Sequence, residues 1–191
     1  LSGAADQVQI LRRDADQRIA ALVGEVNTTL QSIDDLNTDI VRSPEDAELL
    51  DQRDRLVKEL SYKLDITTYT QDDNRIAIFN EHGQALLEYE PRMLDYAPTA
   101  SMGRDTKFDA IRVHGENEDA TAGQVMVGGG LRASGSSDDI EPTVTGGELG
   151  GLLEVRDRVL PELDDQLREF GTVLRHQLNE AHNGANPAGG Y

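Results

Sequence analysis

Apolar residues recur every seven positions along the first part of the chain. Ile19, Val26, Ile33 and Ile40 form one row, with Val8, Ala15, Leu22, Thr29 and Leu36 interleaved as a second. Rows of this spacing lie along one side of an α-helix, and that side must be covered to be stable. The pattern predicts a first helix over Ala4–Val41, a rod of more than ~50 Å. The other end of the chain repeats it. Leu153, Leu160, Leu167, Leu174 and Ala181 are again seven apart, flanked by Leu149, Leu163 and Phe170. They predict a last helix running to about Asn183, with Gly184 as its stop.

Arg42-Ser43-Pro44 ends the first helix. Ser43 reads as the N-cap of a second, Pro44 as its first residue and Asp46 as first-turn acid, with the helix reaching about Leu64. Ala47, Leu50, Leu56, Val57, Leu60 and Leu64 supply its apolar face. Asp51 with Arg55 and Asp54 with Lys58 are acid-then-base pairs on its outer face. The connection is short enough to predict antiparallel packing of the two helices.

At Asp65 the period changes. Ile66–Thr70, Arg75–Asn80 and Ala85–Tyr89 alternate like strands, and Asp72-Asp73-Asn74 and Glu81-His82-Gly83 turn between them, which predicts a three-strand meander. Further short strands are placed at Ala110–His114, Gln124–Val127 and Leu131–Ala133, with loops at Gly115–Gly123 and Gly135–Glu141. Thr145-Gly146-Gly147-Glu148 reads as a capping box opening the last helix. The glycines at 146, 147, 150 and 151 point to close backbone approach where the chain re-enters its helical part. Pro161 predicts a kink or break near Arg158–Leu160.

Composition narrows the functional classes. Aromatic content is 4%, with no Trp, so the core is mostly aliphatic. The formal net charge is −18, and residues 65–146 hold half of it, 15 acidic side chains against 6 basic. Such a surface repels phosphate backbones and anionic membranes, so neither nucleic acid nor membrane is expected as a partner. There is no Cys, which excludes a disulfide framework, a thiolate zinc site and a Cys nucleophile. No apolar run approaches the ~20 residues of a bilayer span. The chain opens at Leu1 without Met and inside a helical pattern, which reads as a piece of a longer protein.

Candidate chemistry is weak throughout. His176 and His182 are six apart, so on a helix they face different directions and cannot share a metal. His82 and His114 read as surface residues. The acidic groups Asp72/Asp73, Glu116/Glu118/Asp119 and Asp138/Asp139/Glu141 lack the alternating loop and central glycine of a calcium site. Gly128-Gly129-Gly130 lacks the Gly-Lys-Ser/Thr ending of a phosphate loop, and Ser134, Ser136 and Ser137 lack a nucleophile elbow. No catalytic, cofactor-binding or metal-ligating residue is assigned, and no enzyme activity or cofactor is expected.

Three segments carry a family resemblance. Leu49-Leu50-Asp51-Gln52-Arg53-Asp54, followed by Leu56 and Glu59-Leu60-Ser61, resembles the helix before the strand meander in the flagellar hook-associated protein 1 family. Thr145-Gly146-Gly147-Glu148-Leu149-Gly150-Gly151-Leu152-Leu153, with Arg156-Asp157, resembles that family's returning helix. Asn179, His182 and Gly184 are similar to its ending. The resemblance implies a structural adaptor at the hook–filament junction, exported through the flagellar secretion apparatus to the cell exterior. Its partners would be neighbouring axial subunits: hook protein, the second junction protein and copies of itself in a ring. Family members carry further terminal assembly helices that this sequence lacks, so this piece is expected to be monomeric.

The expected architecture is α+β: an antiparallel long-helix bundle of three main helices with an inserted β-rich domain. Residues 1–64 and 145–185 form the bundle stalk, 65–144 the insert and 186–191 a C-terminal loop. A surface adhesin or glycan-binding module on a helical stalk, a secreted enzyme using acids of the middle, and another flagellar axial protein remain open on sequence alone.

Overall fold

The computed structural model describes residues 2–115, 124–127 and 146–184. The fold is α+β, with long helices beside two small antiparallel sheets. Helix α1 spans Ser2–Arg42 and α2 spans Ala47–Lys63. Strands β1 (Ile66–Thr70), β2 (Ile76–Asn80) and β3 (Ala85–Leu87) form the first sheet, in that order. Strands β4 (Met93–Asp95), β5 (Ile111–His114) and β6 (Gln124–Val127) form the second. A last helical run comprises α3 (Gly147–Glu154), a π-turn (Val155–Val159) and α4 (Leu160–Gly184).

The apolar rows of α1 do what their spacing requires. Ile19, Leu22, Val26, Leu30, Ile33 and Ile40 have no solvent exposure. All of these but Ile40 join a cluster with Leu60 from α2, its C-cap Leu64, Ile76, Ile78, Leu86 and Leu87 from the first sheet, Leu94, Ile111 and Val113 from the second, and Leu149 and Leu153 from α3. Each fully buried Leu or Ile contributes ~1.5–3 kcal/mol. Because α1 lines this cluster from end to end, helices and both sheets share one core. Helix α2 runs back along α1, so Lys63 at its end reaches Glu25. The last run is also antiparallel to α1, with Glu148 beside Arg18 and Arg156 beside Arg12.

Several local expectations are corrected. Asp46, not Ser43, is the N-cap of α2, and its carboxylate accepts from Glu48 N–H and Leu49 N–H. A carboxylate three residues closer to the free N–H groups makes the better cap. Arg55 donates to the backbone carbonyl of Asp51 rather than to its carboxylate, and neither outer-face pair of α2 forms a salt bridge among the described residues. The expected capping box rests on Thr145, which lies outside the described residues. The N-cap of α3 is Gly146, without a side-chain bond, and the Glu148 carboxylate accepts from Arg18.

Strand β4 is an element the sequence pattern did not reveal, being three residues long between Pro91 and Pro98. Strand β3 stops at Leu87, two residues before Tyr89. Leu131–Ala133 and the loop predicted at Gly135–Glu141 lie outside the described residues, as does Gly115–Gly123 beyond Gly115. Pro161 produces a π-turn rather than a break. Beyond Leu160 the predicted apolar seam is not covered: Leu163 and Leu174 are partly exposed, and Phe170 is 60% exposed.

The glycine expectation holds at the entry to α3. Gly147 has φ +69°, and a Cβ there would sit 2.7 Å from the backbone of Lys63 and Leu64. At Gly146 a Cβ would meet the Asp65 side chain at 2.7 Å. The chain re-enters its helical part pressed against the end of α2. Gly151, by contrast, has open space around it.

Candidate functional site

Charged side chains in a helix normally face water, yet Arg12 and Asp16 of α1 are 1% exposed and Arg156 of the π-turn is fully buried. A buried ion is tolerated only when its charge and hydrogen-bonding capacity are met. Here they are met by one cluster. Arg156 Nη1 donates to Asp16 Oδ1 at 2.9 Å, and its Nε and Nη2 make a forked pair with Asp157 at 2.7 and 2.9 Å. Tyr96, just past β4, accepts from Arg156 and donates its hydroxyl hydrogen to Asp16. Thr99 N–H closes the set on Asp16 Oδ2 at 2.8 Å. Asp16 therefore holds three donors from two other parts of the chain.

Aromatic rings roof the cluster. The Arg156 guanidinium lies 3.9 Å from the ring centre of Phe108 and 5.8 Å from that of Tyr96, and Arg12 stacks on Phe108 at 5.3 Å. Rings facing a desolvated guanidinium add cation–π attraction. Burial raises the Tyr96 hydroxyl pKa and the hydrogen bond to Asp16 raises it further, so it stays protonated as a donor. Burial also lowers the Arg12 pKa. For Arg156 burial pulls the other way too, but Asp157, Tyr96 and Asp16 outweigh it and the pKa is raised.

Arg12 reaches two more carbonyls. Its Nη1 donates to Gly103 O at 3.1 Å and Arg104 O at 3.2 Å, in the segment between β4 and β5. Arg104 in turn pairs with Asp165 of α4. Segment 96–108 is thus strapped to α1 and to the last helical run at the same place. Among the described residues Arg12 Nη2 and Asp164 Oδ1 are buried without a partner.

Two asparagines of α1 dock the sheets. Asn27 Nδ2 donates to Leu94 O and its Oδ1 accepts from Leu94 N–H, both at 2.8 Å. Asn37 does the same with Ile76, at 2.9 and 3.0 Å. A carboxamide presents one donor and one acceptor side by side, as a neighbouring strand would. On the surface, Glu148, Arg18, Glu25, Lys63 and Glu59 form a continuous chain of ion pairs across α3, α1 and α2.

The residues weighed for chemistry from sequence are not brought together. His176 pairs with Glu180 on the exposed face of α4, and His82 lies near Glu81 in the β2–β3 turn. Asp73 is held by Arg75, which keeps its pKa low. Among the described residues no three His, Asp or Glu side chains are placed to hold a metal ion, and no helix is long and apolar enough to cross a membrane. The groups at 116–119, 128–130, 134–137 and 138–141 lie outside the described residues. The arrangement holds parts of a chain in register; its buried charges face one another and not a cleft.

Comparison with known proteins agrees. A family profile described as the flagellar hook-associated protein FlgK helical domain matches residues 1–189. The flagellar hook-associated protein 1 of Escherichia coli K12 is 27% identical over 93% of the chain, and that of Salmonella typhimurium LT2 is 26% identical over the same share. The chain spans 31% of the length of either relative. The flagellar hook junction protein FlgK from Burkholderia pseudomallei shares the fold, with a TM-score of 0.62 at 24% identity over 81% of this chain and 25% of that one.

Proposed function

This chain belongs to the family of the flagellar hook-associated protein FlgK helical domain, and from that premise we propose that it is a structural part of an adaptor subunit at the hook–filament junction of the bacterial flagellum. Its role is scaffolding rather than catalysis. In this reading residues 1–64 and 145–185 are the stalk, a three-helix antiparallel bundle, and 65–144 are a β-rich excursion from it. The partners are neighbouring axial subunits, namely hook protein, the second junction protein and further copies in a ring. The place of work is outside the cell, after export through the flagellar secretion apparatus. Taken alone, the piece is monomeric.

The observation that carries this reading is the match of the family profile along residues 1–189. The buried clamp supports it, since a subunit that holds its neighbours must keep its own parts in fixed relation, as the bond between Arg156 and Asp16 does. The test is a chimaera in which this chain replaces the matching third of the Escherichia coli relative, produced in a strain lacking that relative. Filaments retained on hooks in electron micrographs, with swimming restored, are expected. A chimaera that is exported and folded yet leaves hooks without filaments would overturn the proposal.

A further inference from the structure

The last helical run is not in one phase. Leu160 N–H bonds to Val155 O, five residues back instead of four. One wide turn inserts a residue, and everything after it is offset by about 100° from an unbroken α-helix. The offset is visible in burial. Leu163 flanks the apolar row and is expected inward with it, but the buried residue is Asp164, one position later, at 2% exposure, while Leu163 is 41% exposed. A carboxylate occupies the inward place and a leucine the outward one.

Two residues hold this phase from opposite sides. In the wide-turn register the donor for Arg156 O would be the N–H of residue 161, but residue 161 is proline and has none. Arg12 Nε supplies the missing donor, at 3.2 Å, from α1. In the ordinary register the proline ring would press on the carbonyl four residues back, at Asp157. We propose that Arg12 and Pro161 together are a register latch, which keeps the last helix one residue out of α phase and so turns Leu163, Phe170 and Leu174 to the outside. Release of the latch returns the helix to α phase, brings Leu163 against α1 in place of Asp164, and rotates the whole distal apolar stripe.

The chain has no cysteine of its own, so a single introduced thiol reports its position without interference. Leu163→Cys and Asp164→Cys are compared for maleimide modification in the unaltered background, in Pro161→Ala and in Arg12→Met/Pro161→Ala, with circular dichroism as the check of folding. In the unaltered background the thiol at 163 should react at least tenfold faster than that at 164. The order should reverse in the double background, and in Pro161→Ala alone the ratio should fall below about threefold. A ratio unchanged in every altered background that folds overturns the latch. Pro161→Ala removes no buried charge, so it decides the matter if the double background does not fold.

Discussion

Asn37 and Ile76 are joined through both ends of one carboxamide: Asn37 Nδ2 donates to Ile76 O, and Ile76 N–H donates to Asn37 Oδ1. The site is buried, with Asn37 1% exposed. Ala at 37 would strand a buried donor and a buried acceptor on β2 at once. Each such group costs about 1–3 kcal/mol, so Asn37→Ala should destabilise by about 2–6 kcal/mol in urea unfolding. Asn27→Ala at the half-buried twin should cost less, about 1–2 kcal/mol. Amide exchange should quicken at Ile76 in the first variant and at Leu94 in the second.

Removing one partner of the buried cluster should be severe. Asp16→Ala leaves Arg156, Tyr96 and Thr99 without their shared acceptor. Loss of one member of a buried ion pair costs about 3–5 kcal/mol. Guanidinium unfolding should show this, and proteolysis within residues 96–108 should become faster, because that segment is tied down by the same bonds.

The glycines at the entry to α3 separate two kinds of position. Gly147→Ala forces a Cβ into the Lys63–Leu64 backbone at a positive φ; left-handed backbone alone costs ~1–2 kcal/mol, and the total should exceed about 2 kcal/mol. Gly151→Ala, in open helical space, should stabilise by about 0.5–1 kcal/mol. Thermal melts of the two variants should therefore move in opposite directions.

The surface ion chain predicts an acid limb. Hydrogen bonds from Lys63 and Arg18 hold the Glu25 pKa below its ordinary 4.5. The folded value lies below the unfolded one, so this stabilisation is complete above about pH 4.5 and is lost as pH falls through the folded value. Glu25 is 40% exposed, and solvent screening limits the contribution to about 0.5–1 kcal/mol. Glu25→Gln should lose that amount at neutral pH and show a shallower decline in stability below about pH 4.5 than the unaltered protein. Equal slopes in a pH series of urea melts would contradict the assignment.

The helices were legible because periodicity survives any amount of surface variation: the rows Ile19–Val26–Ile33–Ile40 and Leu149–Leu153–Leu160 are buried as spaced. The meander was legible from its turns, and Asn74 and Gly83 do take positive φ there. The clamp was not. Arg12 and Asp16 draw no assignment from the sequence, Arg156 enters only with the returning-helix resemblance, and two of its partners, Asp16 and Tyr96, lie 140 and 60 positions away in sequence. One signal was present: Arg12 and Asp16 fall between Val8, Ala15 and Ile19 inside the apolar row, and Arg156 falls between Leu153 and Leu160. Asn37 sits the same way between Ile33 and Ile40. A polar residue inside a seam marks a specific partner, although the seam alone does not say which. The π-turn was half legible, since Pro161 signals a disturbed helix but the donor that makes a wide turn tenable comes from Arg12.

Helix α1 is a single rod of 41 residues, and it grips one sheet at Asn27 and the other at Asn37, about 15 Å apart along its axis. A tug along that axis reaches the sheets through the paired amide bonds of these two grips. Traction entering at either tip is shared between the two anchor points, one on each sheet.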